Sequence, residues 1–181
     1  LVEFSKSVTF EQRKIMTFDF DTLSKNSRIW IYQANRKLTS GEQEKCLKRA
    51  DDFLKEWAAH GNALKASAEI KNDFFLVIGT DESFNMASGC SIDTQVRFIQ
   101  ELGVSLGVDF FQRTDIAFLI DDKVELVALS KIKAEVESER ISPETLFFDN
   151  TVQRKDQLPT DWCVEAGKTW LNRYFKQSTN V

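Results

Sequence analysis

The chain has 181 residues, 42% of them hydrophobic, and its 24 lysines and arginines against 28 aspartates and glutamates leave a formal charge of -4. That length suits one domain with a sizeable core, so neither a disulfide nor a metal is needed for stability. The basic residues form no dense block, which argues against nucleic acid as a partner, and no apolar run approaches the roughly 18 residues of a membrane span.

The three cysteines, Cys46, Cys90 and Cys163, are an odd number, far apart, with no close pair that reads as a redox or zinc motif. Unpaired thiols and the lack of an apolar leader fit a cytoplasmic protein.

Residues 1–27 alternate weakly, with Phe18 and Phe20 set against Asp19 and Asp21, and close on the turn-forming Ser24-Lys25-Asn26-Ser27. They predict an edge strand or a strap laid over the domain. Arg28 to Gln33 is rich in β-branched and aromatic residues, with both alternating faces mostly apolar, and predicts a strand inside a sheet. Thr39 or Ser40 then caps a helix reaching about Ala59. Glu42 is its capping-box partner, Cys46, Ala50, Phe53, Leu54 and Trp57 its apolar stripe, and His60-Gly61 its end.

Two strands follow, one alternating from Leu64 to Lys71 and one from Phe74 to Thr80, joined by a tight turn at Asn72-Asp73. A helix from about Ser91 to Leu106 presents Val96, Ile99, Leu102 and Leu106 on one side; Gly103 lowers its propensity and Gly107 ends it. Thr114 to Ile120 and Val124 to Leu129 read as strands around an Asp121-Asp122 turn. Ser130 caps a short polar helix to about Arg140, Leu146-Phe147-Phe148 reads as a brief strand, and Asp161 caps a final helix carrying Trp162, Trp170, Leu171 and Phe175.

From residue 28 to 120 the order is strand, helix, strand, strand, helix, strand. That is the split βαβ order of ferredoxin-like folds, so the expected class is α+β. A βαββαβ core with an extra strand occupies 28–129, the strap 1–27, and a helical extension over 130–181 packs on the same domain. A plain sheet of this kind carries helices on one face only. Here Ile29, Ile31, Phe74, Leu76, Ile78, Ile116, Phe118 and Ile120 supply one face, and Trp30, Tyr32, Phe75, Val77, Ala117 and Leu119 the other. An apolar face of that size is not left in water. The strap, the C-terminal helix or the second subunit of a homodimer is expected to cover it.

The richest chemical segment is Ala87-Ser88-Gly89-Cys90-Ser91-Ile92-Asp93, at a strand-to-helix junction. An exposed cysteine beside free helix N-terminal amides is a candidate nucleophile. The same amides suit a small anionic ligand, with Gly89 allowing close approach and Ser88 and Ser91 donating hydroxyls. The competing reading has Ser91 or Asp93 capping the helix and Cys90 packing as a small hydrophobe. His60, the one histidine, ends the first helix at the same sheet edge, where it either pairs with Cys90 as a base or caps terminal carbonyls.

Asp81, Glu82 and Asp93 stand nearby, as orienting groups for His60, as ligands of a hard cation, or as loop and cap residues; their spacing matches no calcium or zinc signature. Trp57, Trp162 and Trp170 read as core or interface anchors ahead of a stacking surface. Arg97 lies beyond the Cys-to-Arg spacing of a cysteine-phosphatase loop, and no GxxxxGK[ST] phosphate loop is present. Nothing in the chain calls for a cofactor.

The strings Arg28-Ile-Trp-Ile-Tyr-Gln-Ala-Asn-Arg-Lys37, Trp57-Ala-Ala-His-Gly61, Ser88-Gly-Cys-Ser-Ile-Asp93 and Trp170-Leu-Asn-Arg-Tyr-Phe175 together resemble a small uncharacterised family of Bacteroidetes proteins, over about residues 18 to 176. Its members often carry the label "ABC transporter ATPase". This chain lacks both the phosphate loop and the Leu-Ser-Gly-Gly-Gln type signature of such an ATPase, so the resemblance implies a cytoplasmic bacterial protein and no transport activity. The leading expectation is a binding or assembly protein, a homodimer or one with a protein partner. The alternative is a small cysteine-dependent transferase or hydrolase with Cys90 as nucleophile and His60 as base.

Overall fold

The computed structural model describes residues 17–83 and 85–176. The first part of the expected strap and the end of the C-terminal extension lie outside the described residues. The run Arg28–Gln33 forms strand β1. Thr39 caps helix α1 (Ser40–Glu56) with a complete capping box: its hydroxyl accepts from the Glu42 N–H, and the Glu42 carboxylate accepts from the Thr39 N–H.

The helix ends at Glu56, short of the expected Ala59. Trp57-Ala58-Ala59 leads instead into a small hairpin of β2 (Ala58–Ala59) and β3 (Asn62–Ala63), turning at His60-Gly61 with φ of 52° and 79°. The two-residue turn with glycine prevails over the helix end read there, because both positions adopt the left-handed backbone that such a hairpin needs. His60 therefore sits at a hairpin tip and not at a helix C-terminus.

Strands β4 (Lys65–Lys71) and β5 (Phe75–Asp81) are joined through Asn72 and Asp73, both at positive φ, with the Phe74 N–H donating to the Lys71 carbonyl at 3.1 Å. Strand β5 lies between β1 and β4 and is antiparallel to both. Strands β1 and β4 are therefore parallel, with α1 as their crossover, which is the expected split βαβ unit.

Beyond β5 the chain forms α2 (Gly89–Leu106), and here the ferredoxin-like expectation fails: β6 (Asp115–Ile120) does not return to the edge of β1. It pairs with β7 (Lys123–Ala128) and β8 (Leu146–Phe148), and β8 pairs with β9 (Cys163–Glu165), giving a second antiparallel sheet of order β7-β6-β8-β9. The first sheet has three strands, and the class is α+β, with two main sheets and the small β2–β3 hairpin among the described residues.

The registers Ile31↔Val77 and Tyr32↔Leu76 put Trp30, Tyr32, Leu76 and Ile78 on one face and Ile29, Ile31, Phe75 and Val77 on the other. The β5 residues thus exchange faces relative to the sequence reading, which fixed each strand's alternation without its phase against the neighbour. The first face packs on α1 and α2, against Leu47, Leu54, Ile99 and Leu102. The second face packs on the second sheet, where Phe75 meets Phe148 and Trp162 at ring-centroid distances of 4.9 and 5.1 Å, with Phe20 and Leu23 completing the same core.

On the far side of the second sheet, Phe118, Val127 and Phe147 share a core with Ile132, Ile141 and Leu171, closed by the short helices α3 (Ile132–Glu137) and α4 (Asn172–Phe175). The layers run helices, sheet, sheet, short helices. The face assigned to a strap, a terminal helix or another subunit is covered chiefly by the chain's own second sheet.

The C-terminal third departs furthest from its reading. Ser130 lies in a 3-10 turn that precedes α3 and does not cap it. Asp161 starts no helix, because Cys163–Glu165 complete the ladder left open by β8; among the described residues that follow, Ala166–Lys168 is a 3-10 turn and Asn172–Phe175 an α-helix. Among the described residues, no helix is long and apolar enough to cross a membrane.

Two ties bind the strap to the C-terminal half. Lys155 Nζ donates to the carbonyls of Phe20, Asp21 and Leu23 at 2.8, 2.9 and 2.7 Å, gathering the oxygens at the end of a 3-10 turn over Phe20–Thr22. The Ile29 N–H donates to the Gln153 carbonyl at 2.8 Å and the Lys155 N–H to the Ser27 carbonyl at 2.9 Å, one antiparallel bridge on the outer edge of β1. That edge is where the fourth strand of a ferredoxin-like sheet would lie.

Two substitutions in α2 test this packing. A Cβ on Gly103 would stand 2.6 Å from the Val108 carbonyl oxygen, so Gly103→Ala is expected to destabilise by about 1–3 kcal/mol through overpacking against backbone. Gln95 is 0% exposed with neither end of its amide hydrogen-bonded among the described residues. Gln95→Met should therefore stabilise by about 1–3 kcal/mol, since it removes an unsatisfied buried amide at similar volume. Urea midpoints at unchanged m-value measure both.

Candidate functional site

Helix α2 begins at Gly89, and its N-cap is Ser88, not Ser91 or Asp93: the Ser88 hydroxyl accepts from the Ser91 N–H at 3.2 Å. Ser91 is 3% exposed; its hydroxyl donates to the Ser88 carbonyl at 2.8 Å, and its own carbonyl accepts the Trp57 indole N–H at 2.8 Å. Both serines are thus engaged in the helix start. Gly89, Cys90 and Asp93 are exposed, and a Cβ on Gly89 would meet nothing within 4 Å, so packing does not demand glycine there.

Asp81 is buried at the end of β5, where its carboxylate accepts from the Ser83 hydroxyl at 2.6 Å and the Ser83 N–H at 3.1 Å, with Lys65 at 3.6 Å. Those donors hold its carboxyl below the usual carboxylate range. Glu82 accepts from the Ala87 N–H at 2.9 Å, closing the loop into α2.

Strand β2 of the His60 hairpin packs on α2, and Trp57 just before it is tied to Ser91 at the helix start, yet His60 is exposed at the hairpin tip, and no hydrogen bond joins it to Cys90 among the described residues. The structure thus assembles Ser88 and Ser91 as a cap and Asp81 as part of a turn, with Cys90 and Asp93 on the surface beside them. Among the described residues no cluster of three or more histidine, cysteine or acidic side chains is placed to hold a metal ion. The tryptophans are dispersed: Trp57 in the helix-side core, Trp162 between the sheets, and Trp170 exposed at 43%.

A second feature, which the sequence reading missed, is a cleft of about 420 Å³ at the open side of the sandwich. Its wall includes Ile31, Tyr32 and Gln33 in succession, and Phe147, Phe148 and Asp149 likewise. Successive strand residues point to opposite faces, so a cavity lined by all three in a row runs along the strand edge. The loop Phe110-Phe111-Gln112-Arg113 forms another wall, with Phe111 packed edge-on to Tyr32 at 5.7 Å, and Trp170 stands at the rim beside Phe147. Burial pushes the Tyr32 hydroxyl up to about 12, so it stays protonated.

A chain of hydrogen bonds crosses the cleft wall. The Trp162 indole N–H donates to Asn150 Oδ1 at 3.0 Å, Asn150 Nδ2 to Gln33 Oε1 at 3.0 Å, and Gln33 Nε2 to the Asp115 carbonyl at 2.9 Å. Each donor and acceptor fixes the orientation of the next amide. Of the charged groups, the Asp115 carboxylate accepts from Gln112 Nε2 at 2.7 Å, and the Asp149 carboxylate accepts from the Thr151 N–H and hydroxyl at 3.0 and 2.5 Å. Arg113 is exposed and has no acceptor among the described residues.

The signal for this site in the sequence was faint. Gln33 lies 82 positions from Asp115 and 117 from Asn150, and only the meeting of the two sheets unites them.

Comparison with known protein families, with curated protein sequences and with solved structures finds no match to this chain.

The three thiols separate by environment. Cys46 is buried and its thiol is pushed up to about 12, by burial that Arg49 only partly offsets; burial also pushes the half-buried Cys163 up to about 11. Cys90 is exposed. In the native protein at pH 8, a colorimetric disulfide reagent is expected to titrate one thiol rapidly and to reach all three only in denaturant, with the rapid phase absent from Cys90→Ser.

Proposed function

We propose that this chain is a binding protein whose ligand lies in the cleft beside β1. The observation that carries the reading is the run Trp162–Asn150–Gln33–Asp115, which locks two side-chain amides in the cleft wall. Each amide nitrogen has a second N–H beyond the one used in the run. Donors already fixed in place lose little conformational freedom on binding. Aromatic walls with a few oriented polar groups and a volume of a few hundred Å³ are the make-up of ligand sites.

Thiol chemistry at Cys90 is the weaker reading. Its thiol is exposed, as that chemistry needs, but Ser88, Ser91 and Asp81 are occupied in cap and turn. None of the described residues offers Cys90 a hydrogen-bonded base. The case for a homodimer rested on an uncovered sheet face, and the second sheet supplies that cover within one chain. Three unpaired thiols support a reducing, cytoplasmic setting for the binding role.

A thermal-shift screen of the full chain against amino acids, short peptides and aromatic carboxylates tests the proposal. Stabilising compounds are expected to move the side-chain amide signals of Gln33 and Asn150 and the indole signal of Trp170. Their affinity should fall about tenfold or more in Asn150→Ala, the loss of one well-placed hydrogen bond to a desolvated group, and be unchanged in Cys90→Ser. Stabilisation that depends on Cys90 and leaves the cleft signals in place would overturn the reading.

A further inference from the structure

The cleft has a backbone side as well as a side-chain side. Along β1 the Ala34 N–H turns inward to the Phe74 carbonyl, while the Ile29 N–H turns outward to Gln153 and the Asn35 N–H outward to Asp109. By the alternation of an antiparallel strand, Ile31 and Gln33 present their N–H and C=O groups on the same outward edge as Ile29. Between the two outward ties, no described residue hydrogen-bonds these groups. The edge of β1 is thus closed at both ends and open in the middle, and Ile31, Tyr32 and Gln33 of that open stretch line the cleft.

We propose that the occupant of the cleft is a short extended peptide, which adds to the open edge of β1 as the missing fourth strand of the first sheet and sets a carboxylate against Arg113. This inference rests on the cleft being the binding site. The repeat of N–H and C=O at every second residue matches the main chain of a strand. From Ile29 to Asn35 the edge runs about 20 Å at a rise of roughly 3.3 Å per residue, which leaves room for about three to four residues between the ties.

A docked strand would send alternate side chains to the Tyr32–Phe111 side and to the Gln33–Asn150 side. The carboxylate is placed by Arg113, which is exposed on the loop wall with no acceptor among the described residues; the Asp115 and Asp149 carboxylates keep their charge and are held by the neutral donors Gln112 and Thr151. The ties at Ile29 and Asn35 also decide against a second copy of this chain, because its β1 carries the same flanking segments, which obstruct edge-to-edge pairing.

The test selects a phage-displayed random heptapeptide library on the full chain. Selected peptides are resynthesised with a fluorescein label, titrated by anisotropy, and then methylated at one backbone nitrogen at a time. Methylation is expected to weaken binding about tenfold or more at alternate positions and to be tolerated at those between, since only every second N–H faces β1. Acidic peptides should also bind about tenfold or more weakly to Arg113→Ala, the worth of one charge-assisted hydrogen bond.

Peptides that map to the cleft without period-two sensitivity overturn the added strand and leave the cleft as a binding site. Peptides or screen compounds that bind only away from the cleft overturn both. Concentration-dependent dimerisation abolished by a selected peptide assigns the edge to a second copy and overturns the peptide as its natural occupant.

Discussion

Phe75, fully buried on the middle strand of the first sheet, packs against Phe148 and Trp162 of the second, and the two halves of the chain are held face to face through that contact. Each such ring buries roughly 150–250 Å² on folding, about 4–6 kcal/mol apiece at 25 cal/mol per Å² before conformational entropy is set against it. The contact also reaches into the site. Trp162 buries its ring in the core while its indole N–H leaves the core to hold Asn150, which in turn holds Gln33. The amides of the cleft are therefore oriented by the side chain that joins the sheets.

The same contact explains where the sequence could be read and where it could not. Features set by residues within a few positions of one another came out well: the Thr39–Glu42 capping box, the Asn72-Asp73 turn, the Asp121-Asp122 turn and the strands that flank them. The split βαβ unit followed because its crossover is also local. Nothing local, however, says whether Asp115–Ile120 pairs with β1 or starts a sheet of its own. That choice is made by partners such as Phe147, whose pairing with Phe118 emerges only in three dimensions. The Trp162 segment illustrates the same limit: an acidic residue followed by aromatic residues reads as a capped helix, but the open ladder of β8 draws Cys163–Glu165 into a strand.

Candidate function moved with the topology. Cys90 stands out in a linear reading because glycine, serine and thiol adjoin it, and the structure does place it at an exposed helix start. The cleft depends on residues that are unremarkable singly: two amides, an arginine in a connecting loop, and a strand that stops short of a full set of partners. Its chemistry is a property of arrangement. A strand from the chain itself at the fourth position would satisfy the edge of β1, and the departure from the ferredoxin-like plan is what leaves that edge open.

The strap and the sheet contact also bear on how the chain is made. Phe75 and Trp162 are separated by 87 residues, so at roughly 5–20 residues per second of synthesis the inner face of the first sheet waits about 4–17 s for its cover. Lys155, which gathers the carbonyls of Phe20, Asp21 and Leu23, likewise emerges long after them. In a growing chain the first sheet can form with its helices on one side while Ile29, Ile31 and Val77 on the other stay exposed to the ribosome's surroundings. The interval before the second sheet arrives is when this apolar face is most open to non-native contacts.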